Sequence, residues 1–405
     1  MSGTRERYNQ YLLEQIAERS ENWRWLEDEL PQIKRGWEWA SQQPDQAVML
    51  RYVWGLQKFF ERRGMFQLWL QWAEQTGNVS VAKSDEEAIS SMFIHLGYCY
   101  WSLGNSEKSL TYYRRAYQLV YESGDDIVKA RILNSMGMVY FQMGELLESV
   151  PLLEAAGKLY ERIDDRAGMA TVLTNLGWVY RYLKQMAQAQ ALSQQALVIF
   201  RQLGDPVQET RVLNNLAIIS YDQGDLEKAE AFEKKLLPIL DGQGDAVAAA
   251  RVLNNLGMLH KNQGRYEEAV SRYEQALERH RQFGNRRSEA LTLHNLGATY
   301  RQLGAVDTAY RYYQQALSIC QAIKDREGEA EALNSLGILD YDRGHHRESM
   351  TYLAQAATIF EEIGNTAGQE RAWQNLATVY QAQGDESAAA LLLLQAAALR
   401  EGQAA

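Results

Sequence analysis

A phrase that recurs every forty residues constrains this chain more than any other feature. Its clearest copy runs from Arg251 to Gly264, reading Arg-Val-Leu-Asn-Asn-Leu-Gly-Met-Leu-His-Lys-Asn-Gln-Gly. Altered copies begin at Arg131, Thr171, Arg211, Leu291, Glu331 and Arg371, and a weaker one at Ser91. The spacing never slips from Ser91 to the C-terminus. A period of this size without insertions means stacked copies of one supersecondary unit, each packing on its neighbours, and not one compact core. A chain of 405 residues thereby escapes the two or three globular domains that its length would suggest.

Each block reads as helix A, a tight turn, helix B and a second tight turn. Glycine follows helix A at Gly104, Gly144, Gly224, Gly264, Gly304, Gly344 and Gly384, where the residue after a helix often takes positive φ. Lys184 holds that place in one block, so its turn is expected to be strained or built differently. The second turn carries Asp125, Asp165, Asp205, Asp245, Asn285, Asp325 and Asn365, whose side chains can cap the next helix A. Pro206 follows Asp205 at a first-turn position that tolerates it. The helices are expected to be about 17 residues and about 25 Å long. Pro151 should kink its helix B, and Pro238 should kink or shorten another. In mid-helix A stand Gly97, Gly137, Gly177, Ala217, Gly257, Gly297, Gly337 and Ala377. An interior glycine costs about 1 kcal/mol against alanine, so something must approach there too closely for a side chain. Helix B offers small residues, Ser109, Ser149, Ala189, Ala229, Ala269, Ala309, Ser349 and Ala389, and small facing small is the expected A–B contact.

The N-terminal end differs. Residues 4–42 read as two helices broken near Ser20 and Glu21, with Pro31 expected to bend the second or shift its start. Pro44-Asp45 should open a helix to about Arg63, stopped by Gly64, and a shorter helix should run from Phe66 to Thr76. The expected division is a helical cap over 1–43, a degenerate first repeat with a linker over 44–84, and eight repeats over 85–405.

The Leu-Gly pair, an aromatic three residues on (Tyr100, Tyr140, Tyr180, Tyr300, Tyr380) and the spaced small residues of helix B resemble the tetratricopeptide repeat. Ser220, His260 and Asp340 depart from the aromatic slot. With forty residues per repeat in place of the common 34, the pattern is similar to the longer-helix subclass of kinesin light chains, LGN-type polarity scaffolds and bacterial regulators. The resemblance implies an all-α fold, a right-handed α-solenoid of antiparallel helix pairs in which helix A lines the concave face. A second resemblance lies in Trp25-Leu26-Glu27-Asp28-Glu29-Leu30, Ile33 to Ala40 and Phe59 to Gly64. These are similar to the entry of the sensor repeats in bacterial NB-ARC/STAND signalling ATPases, where the segment follows a nucleotide-binding module.

Chemistry-bearing motifs are missing. Gly157-Lys158 is followed by Leu159 and makes no phosphate loop, His345-His346 falls in a turn, and no Cys/His pair has zinc spacing. No catalysis, cofactor or metal is expected. The formal charge of −10 argues against direct nucleic-acid binding. No run approaches about 20 apolar residues, so no membrane partner is expected. Cys99 and Cys320 stand far apart, which suits a reducing cytoplasm.

The candidate binding surface is the wall that the helix A faces would form. It gathers Arg131, Arg181, Arg211, Arg251, Lys261, Arg301 and Arg371 against Asp222, Glu331 and Asp342, a basic strip in an acidic protein that would steer an acidic ligand. The competing reading pairs each arginine with a carboxylate of a neighbouring repeat. The wall also carries Asn134, Asn214, Asn215, Asn254, Asn255 and Asn295. Asparagine is poor inside helices and needs a partner, either a peptide backbone or a ladder of amides between repeats. The first of each pair is the better ligand candidate, and the second fits the ladder better. Toward the N-terminal half the wall turns aromatic through Tyr98, Trp101, Phe141, Trp178, Tyr182 and Tyr221, the residue types of binding hot spots. The helix Ala388–Leu399 is nearly all Ala and Leu, which suggests a dimer contact, a docked partner or a longer natural chain. The expected function is a non-enzymatic scaffold or sensor that binds a peptide or protein segment. The alternatives are the sensor arm, or a stand-alone relative, of a STAND-type regulator and an accessory subunit of an enzyme.

Overall fold

A computed structural model of the chain describes residues 2–19, 22–43, 47–56, 59–60, 63, 65–77, 86–121 and 125–404. The architecture is an all-α solenoid of consecutive helix pairs, divided into two compact units at Asp205/Pro206. In the first unit α1 (Ser2–Glu18), α2 (Trp23–Ala40), α3 (Ala47–Gly55) and α4 (Phe66–Gly77) precede three A/B pairs. These are α5 (Glu86–Ser102) with α6 (Ser106–Tyr121), α7 (Asp126–Gln142) with α8 (Leu146–Arg162), and α9 (Arg166–Tyr182) with α10 (Met186–Leu203). The second unit holds five pairs: α11 (Pro206–Asp222) with α12 (Leu226–Gln243), α13 (Ala246–Asn262) with α14 (Tyr266–Gln282), α15 (Arg286–Gln302) with α16 (Val306–Ile323), α17 (Arg326–Asp342) with α18 (His346–Glu362), and α19 (Thr366–Ala382) with α20 (Glu386–Ala404).

The turn chemistry explains why each helix starts and stops. Side chains of Asp125, Asp165, Asp245, Asn285, Asp325 and Asn365 accept from the backbone N–H three residues on, at 2.9–3.2 Å. The glycines after helix A take φ between +74° and +82°, and Lys184 adopts the same left-handed conformation at φ +61°. A lysine there carries the Cβ penalty that glycine avoids, on the order of 1 kcal/mol. Lys184→Gly is therefore expected to stabilise the first unit by about 1 kcal/mol, read as a shift of its denaturation midpoint. An unchanged midpoint would show that the lysine turn is unstrained.

The N-terminal helices pack their own aromatic core. Trp37 stacks on Trp72 at 4.4 Å with Tyr52 edge-on to both, and the Tyr52 hydroxyl donates to the buried Asn9 Oδ1 at 2.7 Å. Asn22 caps α2 by accepting from the Trp25 N–H, and the helix runs through Pro31 without a shifted start. The helix expected to reach Arg63 is shorter, because α3 ends at Gly55. Ser20, Glu21, Pro44, Asp45, Gly64 and the linker after Gly77 lie outside the described residues. Pro151 and Pro238 sit inside α8 and α12, and α12 is not shortened: at 18 residues it is as long as any other helix B from α6 to α18.

The glycine slot has a different partner from the one the small residues suggest. A Cβ at Gly97, Gly257 or Gly297 would lie 2.7–2.9 Å from the ring of Tyr113, Tyr273 or Tyr313. At Gly137 and Gly337 the same place is taken by Leu153 and Leu353. The glycine thus receives a large side chain of helix B. The small helix B residues act on the backbone instead: Ser109, Ser149 and Ser349 donate to the carbonyls of Gly97, Gly137 and Gly337 at 2.7 Å. The α5/α6, α7/α8, α13/α14, α15/α16 and α17/α18 pairs are so fixed in register by one ring or leucine, three of them with one buried hydrogen bond as well, whereas a Cβ at Gly177 would meet the Ser193 hydroxyl and the Ala189 carbonyl.

Candidate ligand-binding face

Within each unit the A helices of successive pairs touch, α5 with α7 and α7 with α9 in the first, and α13 through α19 in the second. α11 and α13 stand further apart. The helix B between them, α12, carries Leu236 where the other blocks have alanine, and Glu233 where they have tyrosine, leucine or serine. Leu236 is buried in the contact. A cleft of about 530 Å³ opens there. Of the sequence candidates, Arg211, Asn214, Arg251, Asn254 and Asn255 line it, with Ile218, Leu236, Leu240, Val252 and Leu291 as apolar walls and the buried His280 among them. An apolar cleft with a few convergent polar groups is the usual form of a binding site.

The asparagines do two jobs. Asn175 donates to Asn134 Oδ1 at 2.8 Å, Asn295 to Asn254 Oδ1 at 3.3 Å and Asn375 to Asn334 Oδ1 at 3.0 Å, each across one repeat. The second amide of one block thus holds the first amide of the block before. Asn134 and Asn254, favoured by sequence as ligand contacts, have their carbonyl oxygens committed to this ladder. The Asn254 oxygen also accepts from Thr292, and Asn254 lines the cleft. Asn255 donates to Glu233 Oε1 at 2.9 Å, and Asn215 is buried.

Other candidates fall elsewhere. In the first unit Phe141, Trp178 and Tyr182 form one cluster with ring centroids 5.0–5.9 Å apart, and the Arg181 guanidinium lies over Trp178 and Tyr182 at 4.8 and 5.1 Å. Trp101 packs on Tyr98 at 5.6 Å, and Arg131 is exposed on α7. In the second unit Arg301 is paired with Asp342 of the next helix A at 2.7 Å, as the competing ion-pair reading has it. The Tyr221 hydroxyl accepts from Asn262 at 3.0 Å, and burial lowers the Lys261 ammonium's pKa. These second-unit residues do not line the cleft.

Sequence reading missed the polar core beneath the cleft. Glu230 and Glu233 on α12 are both buried and occupy slots that are apolar in most other blocks. Glu230 meets His260 Nε2 at 3.1 Å, together with Lys234 and Arg265. Burial pushes its pKa up, but the hydrogen bonds from Lys234, Arg265 and His260 outweigh this and hold it at about 2. His260 fills the aromatic slot because it faces Glu230, so its departure from the repeat pattern was the available signal. Glu233 has the opposite balance. Burial raises it to about 7 against the Asn255 hydrogen bond and the Arg251 charge, and its Oε2 has no hydrogen-bond partner.

The sign of the resulting pH dependence follows. A carboxyl whose folded pKa is raised favours the folded state when protonated, so its stabilisation is full below about 4.5 and is lost as pH rises to about 7. Glu230 acts in a separate window, losing its contribution as pH falls from 4.5 toward 2. Glu233→Gln keeps an acceptor for Asn255 and removes the ionisation. The variant is expected to be about 2 kcal/mol more stable than the parent at pH 8 and equal to it near pH 5, by urea denaturation. A parallel pH profile for both chains would contradict the assignment.

These features define a class: a helix-pair repeat scaffold with a cleft on its A-helix faces. The tetratricopeptide repeat model matches residues 88–156, 128–202, 169–242, 208–282, 248–322 and 288–362. With more than half of the chain so matched, the protein belongs to the tetratricopeptide repeat family. Among curated proteins no sequence match is found. Solved structures share the fold. A STAND signal-transduction ATPase with a tetratricopeptide repeat sensor from Pyrococcus horikoshii is 18% identical, with 86% of this chain and 51% of that one covered at a TM-score of 0.63. The present chain therefore spans about half of that protein's length. The apo quorum sensor NprR from B. thuringiensis is 13% identical, covering 87% of this chain and 97% of that one at 0.61. A Rap protein complexed with competence and sporulation factor is 17% identical, covering 88% and 98% at 0.53. Among the described residues no helix is long and apolar enough to cross a membrane.

Proposed function

We propose that the protein is a non-catalytic sensor or scaffold that captures a peptide or protein segment on the A-helix face of its second unit. The observation that carries this reading is the cleft between α11 and α13, where Arg211, Asn214, Arg251 and Asn254 converge over apolar walls. Amides can meet an extended backbone with both donor and acceptor, and guanidinium groups can meet carboxylates. The likeness to a quorum sensor and to a Rap protein complex supports a signal-receiving role. The test is affinity selection of a soluble random peptide library on the full chain. Retention of a defined peptide set that is lost with Arg211→Glu/Arg251→Glu supports the reading, and retention of none would end it.

A second reading is favoured by the tryptophan-rich entry, whose helices α1 to α4 precede the repeats, and by the likeness to a STAND sensor. It makes this chain the sensor arm of a signalling ATPase. A reading frame that continues upstream into a phosphate-binding loop would support it.

A further inference from the structure

We infer that the second unit's groove takes an extended peptide of opposite charge at its two ends, with a carboxylate at Arg211 and Arg251 and a cation at Glu327 and Glu331. This rests on reading that face as a peptide groove. A second cleft of about 510 Å³ adjoins the first, and the two share Ser288 and Leu291 of α15 as lining residues. They therefore form one surface from α11 to α17. Its ends differ in charge. The first cleft is lined by two arginines and no carboxylate. Burial raises the pKa of the Glu233 carboxyl behind Arg251 to about 7, so at neutral pH it offsets them only in part. The second cleft is lined by Asp325, Glu327 and Glu331 against the single Arg287. Arg287 is bonded to Asp325 at 3.1 Å, and Arg371 outside the lining meets Glu331, so the group remains negative through the exposed Glu327. His294, which also lines it, is held neutral by burial. At the junction Leu291 stands 55% exposed, an apolar seat between the charged ends.

The geometry also sets the ligand's length. The clefts lie about two helix spacings apart, about 20 Å at 8–10 Å each. An extended strand covers that span with about six residues. The expected ligand thus has a carboxylate, an apolar centre and a cation in that order along the face. Either charge can be a chain terminus or a side chain. Charge complementarity of this kind fixes register and direction more than it adds affinity.

The experiment uses the full chain and a soluble hexapeptide library with free termini, retained peptides being sequenced by mass spectrometry. Retained peptides should carry opposite charges at their ends around an apolar centre. Resynthesis of one with its sequence reversed and its termini blocked should weaken binding on the order of tenfold. Acetylating the amino end or amidating the carboxyl end of the forward peptide tells whether termini or side chains supply the charges. Selection on Glu327→Lys/Glu331→Gln should lose the cation and keep the carboxylate, and selection on Arg211→Glu/Arg251→Glu should do the reverse. Retained peptides with no charge asymmetry, or with preferences untouched by both variants, would overturn the inference while leaving peptide capture intact. No retention at all would remove peptide capture and this inference together.

Discussion

Gly257→Leu is expected to destabilise the second unit by about 3 kcal/mol, at the upper end of the usual range for an overfilled core. A Cβ alone at this position would sit 2.7 Å from two carbons of the Tyr273 ring, a fully buried side chain with no open space to enter. The neighbours cannot give way cheaply. Ala269 and Ala276 flank Tyr273 on the same helix, and both are fully buried. The other blocks show how the fold handles a side chain here. Alanine replaces the glycine at Ala217, opposite Glu233, and at Ala377, opposite Leu393, so the slot enlarges only where helix B does not present a tyrosine. Tyr273→Ala in the Gly257→Leu background should accordingly recover part of the loss, giving a coupling of 1 kcal/mol or more in a double-mutant cycle. Denaturation of a repeat array need not be two-state, so hydrogen exchange in α13 and α14 should accompany it. Additive effects of the two substitutions would show that the ring and the glycine do not share this contact.

The largest effect on function is expected from Arg211→Glu/Arg251→Glu. Both residues are exposed on successive A helices and line the same cleft. Reversal turns two attractions for a carboxylate into two repulsions, and truncating one partner of a buried charge pair alone costs 2–5 kcal/mol. Affinity for peptides selected on the parent chain should fall by at least about 100-fold, roughly 3 kcal/mol. Because both side chains stand at the surface, the fold should survive, and far-UV circular dichroism should match the parent. Association should also slow and lose its salt dependence, since the arginines would no longer steer an acidic group. Titration calorimetry showing parent-like affinity in a folded variant would move the ligand off this cleft.

How much of the site was legible varies residue by residue. Arg211, Asn214, Arg251 and Asn254 were found from their shared phase in the repeat, because residues one period apart fall on one face of a stack. Arg301 shares that face and yet is tied to Asp342, since a carboxylate at the facing position of the next block is a matter of two residues and not of periodicity. The same holds for Asn254 and Asn295, whose ladder bond joins residues 41 apart in sequence. Glu233 and Leu236 were visible as breaks in a regular series, but the cleft that Leu236 lines and the burial of the Glu233 carboxyl needed coordinates.

The sequence by itself determined the period, the helix boundaries within the repeats and the positions of the turns, because these depend on local chemistry: an Asp or Asn to cap, a glycine to stop, and apolar residues at helical spacing. Only the tertiary structure decided what fills the glycine slot, which amides hold the stack, and where along the face the helices part to leave a cleft. Those outcomes turn on side-chain volume and hydrogen-bond geometry between residues a repeat apart, which the repeat pattern does not specify.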